Sequence, residues 1–307
     1  MTRVAAIDLG TNTALMVVGE RAPDGTLRVL DDACVTVRLG EGLARRGTPA
    51  PAAVERALAC LADFRARALA LGVELANLRV ASTAVLRRAT DADEFRRLTR
   101  ERTGLAVDVL SGEDEARLAH RAAVSDQGGS AETVVVDVGG GSTEVVADAG
   151  RLRLSVEVGA VVLTEAYLAP DPPQAGGWSA LVAFVERELR ALPRDVARGR
   201  TVVALGGTAV NLASLVLGLA RFDPVAAEGV EVTALDARRW AETLAGLPVA
   251  ERTRRPIEAD RAEILPAGLA CVAAALSRLG AEVARVSGRG LRYGLLLEAL
   301  DALDAPG

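Results

Sequence analysis

The sequence contains no lysine, so every basic residue apart from the single histidine is an arginine. Without lysine the chain cannot build a Walker A phosphate loop or form a Schiff base. A single histidine excludes histidine-rich metal clusters and phosphohydrolase sites made of histidine and aspartate pairs. Aromatic residues make up only 3% of the chain, which leaves few side chains for stacking on a nucleobase.

The chain has three cysteines, Cys34, Cys60 and Cys271, which show neither a pairing pattern nor metal-ligand spacing. We interpret them as reduced and mostly buried thiols. No uninterrupted apolar segment is long enough to span a membrane, and the N-terminal residues lead into a predicted strand without a basic leader. We therefore expect a cytoplasmic protein without a membrane partner. The formal net charge of −5 argues against general binding of nucleic acid.

The length of 307 residues, with 50% apolar and 25% charged residues, is typical of a globular protein with two domains. Residues 125–132 are the most linker-like segment, because they are rich in glycine and polar residues, and they mark the expected boundary. We predict a first domain at 1–127, completed by a C-terminal helix at 293–307, and a second domain at 128–292.

One pattern occurs twice in the chain: an apolar strand, an aspartate, and a turn of glycine and hydroxyl residues that leads into another apolar strand. The copies run from Asp8 to Thr13 and from Asp137 to Thr143. Glycines let a phosphate approach backbone N–H groups, hydroxyls add donors, and an aspartate at a strand end can hold a hydrated metal ion. Either copy alone is equally compatible with a plain hairpin turn. Together they predict a duplicated α/β lobe, with both turns at the mouth of one cleft that binds a phosphorylated ligand.

Two further glycine segments follow the second copy. Residues 201–209 are predicted to form a strand that ends in a Gly-Gly-Thr turn, and a helix is expected from Asn211. Residues 287–294 are predicted to form a last glycine loop ahead of a closing helix.

Two candidate charged groups lie between the copies of the motif. Residues 79–88 are predicted to be a strand that leaves the core into a polar turn, from which either Arg87 or Arg88 can reach a phosphate. Solvated arginines at a helix start are an equally good explanation. Glu115 lies in a helix that begins with a serine cap, and it shares one face with apolar residues. A carboxylate on that face, beside a phosphate site, can orient or deprotonate an attacking water.

The polar neighbours of Glu115 have simpler explanations. Glu113 and Asp114 lie in the first turn of the predicted helix, where carboxylates are stabilised by the helix dipole. His120 lies off the face of Glu115, and we interpret it as structural.

An ordered series of motifs over nearly the whole chain resembles the exopolyphosphatase and guanosine pentaphosphate phosphatase family, a branch of the actin-like, sugar kinase and chaperone ATPase superfamily. The motifs that carry this resemblance are Ala6-Ile7-Asp8-Leu9-Gly10-Thr11-Asn12-Thr13, Arg38-Leu39-Gly40-Glu41-Gly42-Leu43, Thr83-Ala84-Val85-Leu86-Arg87, Ser111-Gly112-Glu113-Asp114-Glu115-Ala116-Arg117-Leu118, Asp137-Val138-Gly139-Gly140-Gly141-Ser142-Thr143-Glu144, Gly206-Gly207-Thr208 and Ser287-Gly288-Arg289-Gly290-Leu291-Arg292.

The resemblance implies a hydrolase of phosphoanhydride bonds, an α/β protein with two ribonuclease-H-like (actin-like) domains that flank an interdomain cleft. It implies Glu115 as the base for the attacking water and Arg87 as the arginine that faces the phosphate. It associates Asp137 with a divalent metal ion, Mg²⁺ or another, and we assign Asp8 to the same metal. The residues that it implies for phosphate binding are Asp8, Gly10, Thr11, Asn12, Thr13, Gly139, Gly140, Gly141, Ser142, Thr143, Gly207 and Thr208.

The leading hypothesis is an exopolyphosphatase that uses Mg²⁺ to release terminal orthophosphate from inorganic polyphosphate, and the family suggests a homodimer. Longer members of the family carry extra helical domains with a histidine-rich site after this core, whereas this sequence ends at Gly307 and has only His120. We therefore expect short or intermediate polyphosphate, rather than very long chains, as the substrate.

Three other functions remain open at the level of sequence. The first is hydrolysis of the 5′ γ-phosphate of guanosine pentaphosphate, for which the sequence shows no guanine pocket. The second is an actin-like or sugar-kinase-like protein that binds ATP, which the glycine turns permit and the motif around Glu115 disfavours. The third is a sensor that binds polyphosphate or the nucleotide without turnover, which the presence of Glu115 disfavours.

Overall fold

The computed structural model of the protein describes residues 2–126, 132–148 and 150–304. Contacts divide the chain into a first unit, Met1–Leu118 with Leu291–Gly307, and a second unit, Ala119–Gly290. Each unit contains a sheet and a hydrophobic core. The expected boundary at 127 and 128 lies outside the described residues, so the domain limits drawn from the sequence stay a prediction.

Strands and helices alternate along the chain. The strands of the first unit are β1 (Arg3–Leu9), β2 (Thr13–Arg21), β3 (Leu27–Thr36), β4 (Leu78–Ser82) and β5 (Asp108–Val109), and those of the second unit are β6 (Val134–Val138), β7 (Thr143–Ala147), β8 (Leu152–Val156), β9 (Val202–Leu205), β10 (Glu231–Val232) and β11 (Ala284–Ser287). The helices are α1 (Leu43–Arg46), α2 (Pro51–Ala70), α3 (Ala84–Arg88), α4 (Ala92–Thr103), α5 (Gly112–Asp126), α6 (Ala160–Tyr167), α7 (Ala175–Glu188), α8 (Gly206–Val216), α9 (Ala234–Ala245), α10 (Val249–Arg252), α11 (Leu265–Leu279) and α12 (Leu291–Asp304). Short 3₁₀ turns occur at Leu75–Asn77, Leu189–Ala191 and Ala259–Arg261.

The two sheets repeat one topology. Their strand orders are β3-β2-β1-β4-β5 and β10-β11-β9-β6-β7-β8. Each begins with an antiparallel meander, β1 to β3 or β6 to β8. The first strand of each meander then pairs in parallel with β4 or β9, which in turn pairs in parallel with β5 or β11. The predicted fold class and the duplicated α/β lobe are therefore confirmed.

The first sheet is covered on both faces. Alternate residues of β1, namely Ala5, Ile7 and Leu9, join a buried cluster with Leu61 and Phe64 of α2. Helix α12 packs on β1 and β2, and it covers the residues that alternate with this cluster. Because β1, β4 and β5 are parallel, the loops that follow them lie at one edge of the sheet, where α/β proteins bind ligands.

Two local predictions were wrong. Residues 84–88 form helix α3 rather than the end of a strand, because Ala84, Val85 and Leu86 are all buried and a short apolar run without alternation fits a buried helix equally well. The predicted Gly-Gly-Thr turn is instead the first turn of α8. Gly206 has a φ of 82°, which lets the chain pass from β9 directly into this helix.

Among the described residues, no helix combines the length and the apolar character that crossing a membrane requires.

Candidate active site

The turn after β1 is a tight hairpin held by its own backbone. The N–H of Gly10 donates to the carbonyl of Thr13 over 2.9 Å. Asp8 is the penultimate residue of β1, the strand that precedes this turn. The hydroxyl of Ser82, at the end of β4, donates to the carbonyl of Leu9 over 2.8 Å. The ends of the two parallel strands β1 and β4 are thereby fixed together, directly before the predicted phosphate-binding turn.

A second loop holds this turn from one side. The N–H groups of Val37 and Arg38 both donate to the carbonyl of Asn12, over 3.0 and 2.8 Å, and Gly40 donates to Thr11 over 2.8 Å. A β-carbon at Gly40 would overlap the methyl group of Thr11, so this close approach requires glycine. Asn12 is only 7% exposed, and within the described residues its amide nitrogen has no hydrogen-bond partner. That amide is a donor suited to a ligand oxygen.

Arg87 and Glu115 form an ion pair in the first unit. Nη1 of Arg87 lies 2.7 Å from Oε2 of Glu115 and also donates to the carbonyl of Leu110 over 2.9 Å. Both side chains are mostly buried, with 19% and 13% exposure. The structure thus brings together the predicted base, Glu115 in the first turn of α5, and the predicted arginine, Arg87 near the end of α3.

The turn after β6 repeats the hairpin of the first unit. The N–H of Gly139 donates to the carbonyl of Ser142 over 2.9 Å, as Gly10 does to Thr13. At the start of α6, Ala160 and Val161 donate to the carbonyls of Gly139 and Gly140, over 3.0 and 2.9 Å. In a trans peptide the C=O and N–H point in opposite directions. The N–H groups of Gly140 and Gly141 therefore point away from α6, as in a backbone nest that binds anions.

Gly159 fixes the position of this turn. A β-carbon there would lie 2.6 Å from backbone atoms of Gly140 and Gly141, a distance that real side chains do not tolerate. The start of α6 and the glycine turn can therefore pack backbone against backbone only with glycine at this position.

Two of the predicted hydroxyl donors already have acceptors within the protein. The hydroxyl of Thr143 donates to the carbonyl of Val158 over 2.7 Å, and that of Thr208 to the carbonyl of Val138 over 3.1 Å. A hydroxyl has one proton to donate. In this conformation both threonines hold the turn in place with that proton, and their direct binding of phosphate stays a prediction.

Asp137 lies at the ends of three parallel strands of the second unit. Its Oδ1 lies 2.8 Å from where a β-carbon of Gly206 would be, and its Oδ2 lies 3.9 Å from that of Gly290. Burial raises the pKa of Asp137 to about 6, although the positive charge of Arg261 acts in the opposite direction. The carboxylate is therefore ionised at neutral pH but is poorly hydrated, a state that favours binding of a cation.

Arg261 is a candidate residue that the sequence reading missed. Its Nε lies 2.6 Å from Oε2 of Glu258, and its side chain is 12% exposed. A β-carbon at Gly207 would overlap its guanidinium group, so Arg261 lies against the first turn of α8. Asn211 connects the two segments, since it donates to the carbonyl of Gly207 over 2.8 Å and accepts from the N–H of Glu258 over 2.7 Å.

The predicted residues thus form one group in each unit. In the first unit, the turn at residues 10–13 follows β1, and the pair of Arg87 and Glu115 lies on helices that follow β4 and β5, so both lie at one edge of the sheet. The second brings Asp137 together with the turn at residues 139–142 and the start of α8. The functional roles of these residues stay predictions.

The remaining polar candidates take no part in these groups. Burial is the main cause that lowers the pKa of His120 and, at Cys60 and Cys271, raises the thiol pKa to about 12. The two thiols are therefore protonated, in agreement with structural roles. Cys34 is exposed.

The donor set fits a magnesium ion that is shared with substrate. Within the described ranges, no three histidine, cysteine, aspartate or glutamate side chains group as metal ligands. Mg²⁺ is commonly held by one or two carboxylates and by substrate phosphates, rather than by a complete cage of protein ligands. The partly buried carboxylate of Asp137, beside a turn suited to an anion, provides such a ligand.

Several known proteins are similar to this chain over most of its length. A family model described as the Ppx/GppA phosphatase family matches residues 17–303. "Exopolyphosphatase 2" of Mycobacterium tuberculosis is 33% identical over 284 residues, which cover 87% of this chain and 88% of that protein. A "Guanosine-5'-triphosphate,3'-diphosphate pyrophosphatase" of Vibrio parahaemolyticus is 27% identical over 304 residues, or 97% of this chain but 59% of that protein. A crystal structure of the Aquifex aeolicus member of the Ppx/GppA family aligns over 99% of both chains, with 29% identity and a TM-score of 0.81.

Proposed function

The chain belongs to the Ppx/GppA phosphatase family, and from this premise we propose that it is an exopolyphosphatase that releases terminal orthophosphate from short or intermediate polyphosphate. It is a phosphoanhydride hydrolase, as the sequence resemblance implied. The observation that carries the proposal is the pair of Arg87 and Glu115, 2.7 Å apart and mostly buried. The similarity to the mycobacterial exopolyphosphatase over most of both chains favours polyphosphate as the substrate.

Glu115 positions the attacking water and accepts its proton. Hydrolysis of a phosphoanhydride requires a water held in line with the leaving group and charge neutralised on the transferred phosphoryl group. The carboxylate of Glu115 is fixed by Arg87 Nη1, which is itself anchored to the carbonyl of Leu110. A carboxylate whose orientation is fixed in this way loses little entropy when it binds the water.

Arg87 contributes the positive charge in the first unit. A guanidinium group has several N–H donors in one plane, so it can hold Glu115 and contact a phosphoryl oxygen together. The negative charge that spreads over the phosphoryl oxygens in the transition state is then met by a cation that needs no reorganisation.

The glycine turns bind the rest of the phosphate. The amide of Asn12 and the N–H groups of Gly140 and Gly141 are donors to phosphate oxygens, and Arg261 adds a second cation beside Asp137. When Mg²⁺ is bound, with Asp137 and Asp8 as its protein ligands, it supplies charge neutralisation on the phosphate oxygens. The absence of lysine is no obstacle, because backbone N–H groups and arginines provide the contacts.

Guanosine pentaphosphate is the second candidate substrate. Proteins named for hydrolysis of guanosine-5'-triphosphate,3'-diphosphate are similar to this chain over 97% of its length. The chemistry at the γ-phosphate is the same, and only recognition of the nucleoside differs. The 3% of aromatic residues leaves few partners for a base, which favours polyphosphate. We also propose that the protein is a homodimer, as the family resemblance suggests, and that it is cytoplasmic, as expected from the sequence. Sedimentation of the purified chain tests its oligomeric state.

The test is phosphate release by the wild-type protein from medium-length polyphosphate, guanosine pentaphosphate and ATP, with and without Mg²⁺. We expect the highest kcat/KM for polyphosphate and loss of turnover when Mg²⁺ is chelated. A higher kcat/KM for guanosine pentaphosphate establishes the second candidate instead. Consumption of ATP alone, and only with an acceptor sugar, indicates a kinase, and binding without turnover indicates a sensor.

A further inference from the structure

A buried arginine at the start of α12 makes a close set of contacts that the proposed mechanism does not use. Arg292 is 9% exposed. Its Nε and Nη2 donate to the two carboxylate oxygens of Asp32, each over 3.0 Å. The hydroxyl of Tyr293 donates to Oδ2 of the same carboxylate over 2.7 Å. Asp32 therefore receives a planar, bidentate pair and a third hydrogen bond, which together fix the guanidinium group in one orientation.

Strand register places Asp8 on the same face of the sheet as Asp32. Asp32 of β3 is opposite Val17 of β2, which is in turn opposite Ala6 of β1. Residues directly opposite each other point to the same face, and so do residues two apart on a strand. The side chain of Asp8 therefore points to the face of Ala6, Val17 and Asp32.

Helix α12 covers this face. Its Leu296 lies against Gly19 of β2, 3.0 Å from where a β-carbon would be, and Gly19 is two residues beyond Val17. Arg292 belongs to the first turn of the same helix. Its buried side chain contacts Asp32 and therefore lies against the face of the sheet that carries both aspartates.

Charge connects Arg292 to Asp8 as well as to Asp32. Burial lowers the pKa of Arg292, but the charge and the hydrogen bonds of Asp32 outweigh it, with smaller contributions from Tyr293 and Asp8, and raise this pKa overall. A buried cation is costly unless nearby anions compensate it. Asp32 forms the bidentate pair, and Asp8 is the other carboxylate whose charge acts on Arg292.

We propose that Arg292 is a positioning residue that holds the carboxylate of Asp8 in place beside the phosphate-binding turn, and that Asp32 and Tyr293 hold Arg292 for this purpose. The inference rests on the proposed function, in which Asp8 belongs to the phosphate site. It assigns a role in the reaction to the Leu291-Arg292-Tyr293 segment, which is distant in sequence from every residue of the first unit's site. The terminal helix is then part of the active-site support and not only of the core.

A double-mutant cycle tests this role. Arg292→Lys keeps the positive charge but loses the planar fork that spans both oxygens of Asp32. We expect kcat to fall about tenfold in the wild-type background, with KM changed less than about twofold. In an Asp8→Asn background the same change should have almost no further effect, because Arg292 acts through Asp8. The affinity for inorganic phosphate, measured by calorimetry, should show the same non-additive pattern.

Two more variants separate positioning from folding. Tyr293→Phe removes only the hydroxyl bond to Asp32, and we expect a smaller fall in kcat, again absent in the Asp8→Asn background. Arg21→Lys is the matched control, because Arg21 pairs with Asp301 and Asp304 at the other end of α12. It should leave kcat unchanged, and the midpoint of thermal unfolding is recorded for every variant. If Arg292→Lys does not fold, the cycle with Tyr293→Phe decides.

The inference is overturned if kcat and phosphate affinity fall by equal factors in both backgrounds, or if Arg292→Lys has wild-type kcat. Failure of the proposed function has a different signature, namely that the wild-type protein hydrolyses none of the phosphoanhydrides. In that case the cycle on phosphate affinity still tests whether Arg292 positions Asp8.

Discussion

The glycines around Asp137 provide space for charged side chains; they are not explained by a need for a flexible backbone. Gly206 has the left-handed φ of 82° that turns β9 into α8, and its neighbour Gly207 lies directly under the guanidinium group of Arg261. A side chain at either position would displace an ionic group. At the residue scale, the pattern of glycines therefore reports on where Asp137 and Arg261 lie.

Gly207→Ala is expected to displace Arg261 and to lower activity more than stability. The added methyl group overlaps the end of a flexible side chain, so the fold can adjust by moving Arg261 away. We predict a fall in kcat/KM of about tenfold, similar to that of Arg261→Gln, with a change in unfolding free energy below about 1 kcal/mol. Steady-state kinetics and urea unfolding measure the two effects.

Gly176→Ala is the matched control for this prediction, because no atom lies within 4 Å of where its β-carbon would be. It should keep wild-type kinetics. Wild-type kcat/KM in Gly207→Ala would contradict the role given to Arg261.

Single residues of the site could be predicted where a local sequence pattern indicated them. Glu115 was found from its position on the packed face of a helix, and Asp8 and Asp137 from their place before glycine turns. Arg261 was not found, because its relation to Asp137 and Gly207 depends on contacts between segments far apart in the sequence. The only local signal was the spacing of Glu258 and Arg261, which also occurs in ordinary surface ion pairs.

At the scale of elements, α12 is fixed to the first unit by a glycine. A β-carbon at Gly294 would overlap the backbone carbonyl of Leu118 in α5, so the two helices touch through their backbones at this point. We predict that Gly294→Ala lowers the free energy of unfolding by about 1 to 3 kcal/mol, because backbone cannot move aside as a side chain can. Urea unfolding measures this change.

Leu303→Ala serves as the control on the same helix, since Leu303 is 47% exposed near its end. It should change the unfolding free energy by less than about 0.5 kcal/mol. Equal stability of Gly294→Ala and the wild-type protein would show that α12 can shift along α5 without loss.

Long elements with a clear period were easier to predict than short ones. The apolar residues of α2, Pro51–Ala70, have a clear helical period, so its sequence alone indicates a helix. Helix α3 was missed, since its five residues are too few to show any period. The start of α8 was placed too late because glycines weaken a helix prediction, although Gly206 and Gly207 here make contacts that other residues would prevent.

At the scale of the whole molecule, the ionisation of Asp137 links stability to pH. Its pKa in the folded protein is about 6, above the ordinary value of 3.8. Between these values the folded state binds a proton that the unfolded state has lost, so the free energy of unfolding falls as the pH rises through this interval.

Asp137→Asn should remove this dependence. We predict that, without metal, the variant is more stable than the wild-type protein by about 3 kcal/mol at pH 7.5, and that the two converge near pH 4. Urea unfolding at several pH values in the presence of a chelator measures it. Asp93→Asn, which changes a side chain that is 95% exposed, should follow the wild-type curve. A less stable Asp137→Asn at pH 7.5 would contradict the burial of this carboxylate.

The duplication of the fold was predictable because the same strand, aspartate and glycine turn occurs twice in the sequence. Both copies close with the same hydrogen bond, from Gly10 to Thr13 and from Gly139 to Ser142. The roles of single residues in the turns were harder to predict from the sequence, because the hydroxyl groups of Thr143 and Thr208 donate to backbone carbonyls of the protein itself. Sequence shows that a hydroxyl is present, but only the structure shows where its proton is donated.

The most direct test of the account is the rate of phosphate release from polyphosphate by Glu115→Gln and by Glu113→Gln. Both residues lie in the first turn of α5, but Glu115 pairs with Arg87 whereas Glu113 is exposed. We predict that kcat falls about a hundredfold or more in Glu115→Gln, with polyphosphate still bound, and stays within about twofold of wild type in Glu113→Gln. A wild-type kcat in Glu115→Gln would show that another group activates the water.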